Sequence, residues 1–438
     1  MTLQNLNKKI EDKTAKIAVI GLGYVGLPVA CEFARVGFDV LGVDVLEDRV
    51  EKINQGISPI EGDEPGLSEL LKSVVGQGNF QATTNYQSLT DRDVILIDVE
   101  TPVDENHQPR YEALRAVLKD LGPVMKAGTL VIVESTIAPL TMNNLVKPLL
   151  EETSDKSVNL DFFLGNCPER VMPGKLLSNL RTLSRVVGGM NPETAETMVD
   201  LYRQVVDADL DPTDCITAEL VKTTENAFRD VNIAFANEVA LVCEAVGGDV
   251  WKVRELVNKS PGRNMLLPGA GVGGHCIPKD PWLLIANVDD YFEPRLIPTA
   301  RTINDEMPVH MADLAVAALE QAGIDVKDAK IVVLGYSYLE NTDDTRHSPS
   351  EILVTQLQEI GVEVVIHDPY LVEYQGDLLE LSKGSHAVIV MVKHEEYKSL
   401  DLKSLKTVMK IPILIDGRHV YDRKVLEELN FNHRGVGQ

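Results

Sequence analysis

The segment that most restricts the fold of this chain spans residues 16–44. Residues 16–20 (KIAVI) form a short apolar run of the kind shown by a strand buried on both faces. The run passes directly into Gly21, Leu22, Gly23, Tyr24, Val25 and Gly26, then into a helical pattern that lasts to residue 35. A second apolar run at 39–43 closes on Asp44. Strand, glycine turn, helix, strand and acid in this order form a βαβ unit suited to a dinucleotide. Gly21 permits the tight turn, Gly23 lets a pyrophosphate approach the backbone, and Gly26 lets the helix pack on the strand. Amides at the helix start then face the phosphate charge. Asp44 is placed to accept hydrogen bonds from the adenosine ribose hydroxyls, which favours NAD over its 2′-phosphorylated relative. Arg49 stands close enough in sequence to soften that preference.

Runs at 93–99 (DVILIDV) and 129–133 (TLVIV) extend the same sheet, and the polar clusters after them contain Thr101 and Thr136. Ligands of an open parallel sheet bind outside the carboxyl ends of its strands. That places both threonines at the nicotinamide half of the cofactor; ordinary turn chemistry is the other reading. Further runs at 330–335, 362–368, 387–392 and 411–416 build a second sheet, in which only Gly335 of the phosphate fingerprint is present. Between the two sheets, 217–245 is the longest uninterrupted helical pattern, free of Pro and Gly. Its apolar residues cover more than one face, as suits a helix buried between domains or subunits. The expected fold is therefore α/β, with two Rossmann-like doubly wound domains joined by a long central helix. The expected boundaries are 1–210, 211–310 and 311–438. Residues 1–13 read as a polar, frayed lead-in, and a helix is expected at 308–322, opening on Pro308.

A chain of 438 residues is too long for one core, which agrees with that division. Its net charge of −25 argues against nucleic acid or an anionic membrane surface as partner. No apolar run is long enough to cross a bilayer, and the polar start lacks a signal-peptide core. The five cysteines, Cys31, Cys167, Cys215, Cys243 and Cys276, are scattered without metal-ligand spacing. They read as reduced thiols of a cytoplasmic protein, and no metal is expected.

Three places carry the residue types of a reaction. Residues 271–281 (GVGGHCIPKDP) set Cys276 after three glycines, Gly273 among them, with Lys279 and Asp280 close behind and two prolines stiffening the loop. A thiol in such a setting is either an activated nucleophile or a buried loop cysteine. On the long helix Lys222 and Asn226 stand at i and i+4 and leave the same face. Both are donors, fitted either to hold an oxyanion or to form a structural salt bridge and cap. The loop within 162–174 (FFLGNCPERVMPG) carries Glu169 and Arg170, a catalytic pair or a surface ion pair. Arg263 lies in a Gly- and Pro-rich stretch before the cysteine loop. Arg346, in the NTDDTR loop at 341–346, faces either a cleft or solvent.

Taken together, GLGYVGLP at 21–28, the helix at 218–240, GVGGHCIPKDP at 271–281 and NTDDTR at 341–346 resemble the UDP-glucose/GDP-mannose dehydrogenase family. The resemblance covers essentially the whole chain in the same order. It implies an N-terminal NAD domain, a central helix that forms a homodimer interface, and a C-terminal domain that binds the UDP part of a UDP-sugar. It also implies a two-step oxidation of C6 to the uronate with two NAD per sugar. The segment Pro168 to Gly174, with Val171 within it, and His275 ahead of the cysteine are similar to the UDP-N-acetylhexosamine branch. FRDVNIAFANE and PGAGVGGHC are most similar to its UDP-N-acetylmannosamine members. Lys279 departs from that branch, which often has a small apolar residue there.

The resemblance makes Cys276 the nucleophile that holds the aldehyde as a thiohemiacetal and then carries a thioester. It gives Lys222 and Asn226 the oxyanions, Asp280 the positioning of a water or of Lys222, and Glu169 a part in thioester hydrolysis. Thr136 holds the catalytic water or the nicotinamide. Lys279 and Arg346 match residues at the cofactor and the cleft, beside Tyr24, Val25, Thr101 and Arg49. Arg170, Val171, Arg263 and Gly273 match the substrate side. Two rivals remain on the residues alone: a two-electron β-hydroxyacid dehydrogenase, which needs no cysteine, and a non-catalytic nucleotide-sugar or NAD-binding regulator.

Overall fold

A computed structural model describes residues 2–60, 62, 64–288 and 291–438. The apolar runs become strands with almost no polar face, because each is covered by helices on both sides. The first sheet contains β1 (Lys16–Ile20), β2 (Asp39–Val43), β3 (Phe80–Thr83), β4 (Val94–Ile97), β5 (Leu130–Val133), β6 (Phe163–Asn166), β7 (Arg185–Gly189) and β8 (Leu210–Asp214). Its order is β3-β2-β1-β4-β5-β6-β7-β8. All neighbours are parallel except β6 and β7. The order reverses between β1 and β4, where Val19 lies between Gly42 and Leu96, so a crevice opens beyond their carboxyl ends.

The second sheet contains β9 (Lys330–Leu334), β10 (Glu363–His367), β11 (Ala387–Val390), β12 (Ile413–Asp416) and β13 (Asn432–Gly435). It is parallel throughout, in the order β10-β9-β11-β12-β13, and reverses between β9 and β11. Both sheets are thus doubly wound, with different strand orders. The chain groups into two units, residues 1–225 with 282–292 and residues 226–281 with 293–438. One helix, Cys215–Val246, runs out of the first unit and into the second. Asp214 caps its start, accepting from the Thr217 amide (2.9 Å) and hydroxyl (2.8 Å).

Two expectations are corrected. The lead-in is a helix, Leu3–Glu11, capped by Thr2, with Leu6 and Ile10 buried in the core of the first sheet. A second helix runs from Leu296 to Gln321 and passes straight through Pro308. Its first half is pinned by buried polar groups: Arg301 pairs with Asp230 of the long helix and with Asp305, and Asn304 donates to the Asp230 carboxylate (2.8 Å). These contacts hold the turns before Pro308 in place despite the missing amide.

Leu6→Ala is expected to lower the unfolding free energy by about 2–5 kcal/mol in urea titration, the usual effect of emptying a buried leucine site. A frayed lead-in would leave it unchanged.

Candidate active site

The first unit holds the nucleotide turn as its residues dictate. Gly21 has φ +92°, and a Cβ on Gly26 would lie 1.9 Å from the Gly21 carbonyl, so helix and turn touch backbone to backbone. A Cβ on Gly23 would meet nothing within 4 Å, which leaves that side of the turn open to a phosphate. Asp44 is buried and accepts from the amides of Leu22 (2.9 Å) and Leu46 (3.0 Å). Arg49 is drawn onto the same carboxylate at 2.9 Å and lies against Asp44. The Tyr24 hydroxyl donates to Glu64, whose Oε1 also accepts the Gly174 amide (2.7 Å). Thr101 and Thr136 come together, the Thr101 hydroxyl donating to the Thr136 carbonyl at 2.6 Å. The open turn and the buried acid fit NAD.

Glu169 and Arg170 do not pair with each other. Arg170 turns to Glu225 on the long helix (2.5 Å) and to the Ser184 carbonyl (2.6 Å). Glu169 is buried against Arg185 of β7, with 2.7 Å between charged atoms, while its Oε1 accepts the Arg170 amide (2.7 Å). Val171 packs partly buried against the first core. Lys222, one helical turn before Asn226, is buried.

The second unit holds the cysteine loop. A Cβ on Gly273 would lie 2.6 Å from the His347 carbonyl and from Tyr338 Cβ, and one on Gly274 2.7 Å from the Tyr338 ring. The Gly274 amide donates to the Arg346 carbonyl (2.9 Å), and Arg418 Nη2 donates to the Gly271 carbonyl (3.0 Å). Burial lowers the Arg418 guanidinium to about 10. Asn237 fixes the start of the loop, accepting the Gly269 amide (2.8 Å) while donating to Asn304 (2.9 Å). Cys276 is exposed, whereas the other four cysteines are buried. Burial pushes Cys167 and Cys215 up to about 12 and raises Cys31 further, which silences them as nucleophiles. Near Cys276 in sequence, Asp280 accepts from Asn226 (2.5 Å) and pairs with Lys279 (3.0 Å). Burial, then Lys279 and Arg346, lower His275 to about 4, so its ring is neutral at pH 7. Arg346 folds onto Asp344 (Nε–Oδ1 2.9 Å). Arg263 is exposed and donates to the Pro261 carbonyl (3.0 Å).

Several anchoring residues carry no motif. Asp368, at the end of β10, repeats the part of Asp44 by accepting from the amides of Tyr336 (2.7 Å) and Ser337 (3.0 Å). Burial would raise its carboxyl, but bonds from His394 and from these amides outweigh that and hold it at about 2. Glu219 on the long helix accepts from the amides of Leu140 and Met142, both at 2.8 Å. It thereby pins the turn that follows Thr136, in which Leu140 adopts φ +72°. A carboxylate three residues before an i, i+4 polar pair was the available signal for it.

Models of three domains of the UDP-glucose/GDP-mannose dehydrogenase family match the chain. They are its NAD binding domain at 15–206, its central domain at 216–306 and its UDP binding domain at 332–423. The chain is 39% identical to the UDP-N-acetyl-D-mannosamine dehydrogenase of Pyrococcus horikoshii over 97% of its own length and 99% of that protein. The solved structure of the UDP-D-ManNAc dehydrogenase from that organism superposes with a TM-score of 0.91, covering 96% of this chain and 99% of that one at 39% identity. The crystal structure of the NDP-N-acetyl-D-galactosaminuronic acid dehydrogenase of Methanosarcina mazei Go1 gives 0.88 at 36% identity, covering 99% and 98%.

Burial pushes Glu219 up from 4.5 to about 7, against the opposing amide bonds. The folded state therefore binds this proton more tightly than the unfolded state does. The resulting stabilisation is complete below pH 4.5 and disappears as pH rises through about 7. Against Glu219→Gln, the wild-type protein is expected to lose relative stability between those limits in urea titrations. A flat or rising difference would refute the assignment.

Proposed function

The chain belongs to the UDP-glucose/GDP-mannose dehydrogenase family, and on that premise we propose that it oxidises C6 of UDP-N-acetyl-D-mannosamine to UDP-N-acetyl-D-mannosaminuronate. NAD supplies the hydride acceptor, once for each of two oxidations. The observation that carries the reading is Cys276, the exposed thiol among five, on a glycine loop fixed along its length by backbone contacts.

The first oxidation turns the C6 alcohol into an aldehyde. The Cys276 thiolate adds to the aldehyde carbon, forming a C–S bond and an oxyanion, which keeps the aldehyde from leaving. Lys222 and Asn226 are donors for that oxyanion, and Asp280 aligns the Asn226 amide through their 2.5 Å bond. The second oxidation leaves a thioester on Cys276. Water adds to its carbonyl carbon as Glu169 takes a proton, the C–S bond breaks, and the acid is released. Gly21, Gly23, Tyr24, Val25, Gly26, Asp44, Arg49, Thr101, Thr136, Lys279 and Arg346 serve the cofactor. Arg170, Val171, Arg263 and Gly273 serve the substrate. The three-part division at 210 and 310 assigns NAD to the first part, the thiol to the second and UDP to the third. The Asp368 carboxylate, which orders the β9 turn, supports a nucleotide role for that third part.

The enzyme works as a homodimer in the cytoplasm. Phe228, Phe235 and Val242 repeat at seven-residue steps on the long helix and, with Val246, leave one side of it apolar and exposed. A second copy of the same helix is the occupant that fits such a self-complementary stripe. No described helix is long and apolar enough to cross a membrane.

Assayed with NAD against UDP-N-acetylmannosamine, UDP-N-acetylglucosamine, UDP-N-acetylgalactosamine and UDP-glucose, the protein is expected to prefer the first and to yield two NADH per sugar. Cys276→Ser is expected to keep the fold and NAD binding and to release no uronate. One NADH per sugar, or steady uronate formation by the variant, would overturn the reading. Phe235→Asp is expected to convert the dimer to a monomer in light scattering; an unchanged mass would remove the helix from the interface.

A further inference from the structure

Beneath the nucleotide turn lies a buried ionic cluster that the mechanism above leaves mostly unused. Asp98 follows β4, Glu134 follows β5, Glu169 follows β6, Arg185 opens β7, and Tyr202 ends the helix Pro192–Tyr202. The side chains of Glu134, Glu169 and Arg185 are at most 5% exposed. Three carboxyl groups and one guanidinium in a dry site cannot all be charged, since the surplus of two negative charges has no counter-ion there.

The contacts show how the charge is distributed. Asp98 and Glu134 are both buried and close enough for each carboxyl to act on the charge of the other. Burial and then Glu134 push the Asp98 carboxyl well up. The Tyr202 hydroxyl donates to Glu134 Oε1 at 2.7 Å. Glu134 Oε1 is thus occupied by Tyr202 and stands 3.6 Å from Arg185 Nη1. The same nitrogen lies 2.7 Å from Glu169 Oε2. Arg185 is itself fixed, donating from Nη2 to the Leu180 carbonyl (3.2 Å) and lying 4.9 Å over the Tyr202 ring. Cys167 is the remaining titratable group in the cluster, and its thiol is neutral.

We propose that Arg185 is the positioning residue for Glu169, and that the Tyr202 hydroxyl, by occupying Glu134, reserves the Arg185 charge for it. The proposal rests on the assignment of Glu169 to thioester hydrolysis. In that step water's oxygen bonds to the thioester carbon, one water proton passes to Glu169, and the C–S electrons return to Cys276; no electrons go to the cofactor. A base for this step must be aimed, and Arg185 fixes the carboxylate through their 2.7 Å contact. Glu169 Oε1 is engaged by the Arg170 amide, whereas Oε2 accepts no aligned hydrogen bond from the described residues. Oε2 is thus buried and held by the Arg185 charge alone, which fixes the orientation of the carboxylate.

The test follows the full-length protein with NAD and UDP-N-acetylmannosamine, reading first-turnover NADH by rapid mixing and the acyl-enzyme on Cys276 by intact-protein mass. Arg185→Lys is expected to keep the NADH burst, to accumulate acyl-enzyme, and to lower kcat roughly 10- to 100-fold with a smaller change in KM. Glu169→Gln is expected to accumulate the same species. Tyr202→Phe, a change that removes one hydroxyl and threatens folding less, frees Glu134 to compete for Arg185. It is expected to accumulate acyl-enzyme to a lesser extent, and it decides the matter should Arg185→Lys not fold. Accumulation in Glu169→Gln but in neither of the other two would overturn the positioning role and leave the Glu169 assignment standing. Accumulation in none of the three would remove the Glu169 assignment and the proposal with it.

Discussion

The Gly274 amide bonded to the Arg346 carbonyl is the contact on which the placement of Cys276 depends. It binds the cysteine loop to the segment that follows β9, so the second sheet sets where Cys276 stands. Side chains have no room at that seam. The Cα atoms of Gly273 and Gly274 abut the Tyr338 ring and the backbone at His347, and any Cβ would force the seam apart. Arg418, beyond β12, adds a second attachment at Gly271. A thiol held in this way stays near its reactive position without being rebuilt at each turnover, which is the general advantage of a preorganised site.

The long helix distributes the remaining parts. Glu219 holds the turn after Thr136, Lys222 and Asn226 present donors, Asp230 receives Arg301 and Asn304, and Asn237 holds Gly269. These positions advance by three, four or seven residues, so they recur at one- or two-turn steps along the helix. A helix is suited to this because its hydrogen bonds are internal, leaving its side chains free to serve segments far apart in sequence.

Much of this was legible beforehand. Parallel strands covered on both faces must read as unbroken apolar runs, and the turns between them must carry glycines at fixed offsets, so both sheets and the nucleotide turn stood out. The Cys276 loop stood out because unusual residue types were concentrated there, whereas the Asn226–Asp280 bond joins positions 54 residues apart and came from the fold. The Asp98–Glu134–Arg185 cluster was not, since each member sits singly at the end of a strand, where a charged residue ordinarily marks the return to solvent. Only the lateral order of the strands brings them together. Pro308 misled for a physical reason: proline favours the first turn of a helix, and what lets it sit in the interior is a set of contacts from another helix. At the N-terminus, Leu3, Leu6 and Ile10 have helical spacing, but three apolar residues among so many polar ones are a weak pattern.

The uneven burial of the five thiols has a consequence for how the protein ages. Cys31, Cys167, Cys215 and Cys243 are shielded by packing, so a peroxide or disulfide in the surrounding solution meets Cys276 first. Oxidation at that sulfur leaves in place the backbone bonds that hold the loop. On the proposed role of Cys276, activity and foldedness are therefore separable properties of this chain. A preparation can retain its full melting transition and have lost all of its turnover, and a reductant would restore it only as far as the sulfenic acid or disulfide stage.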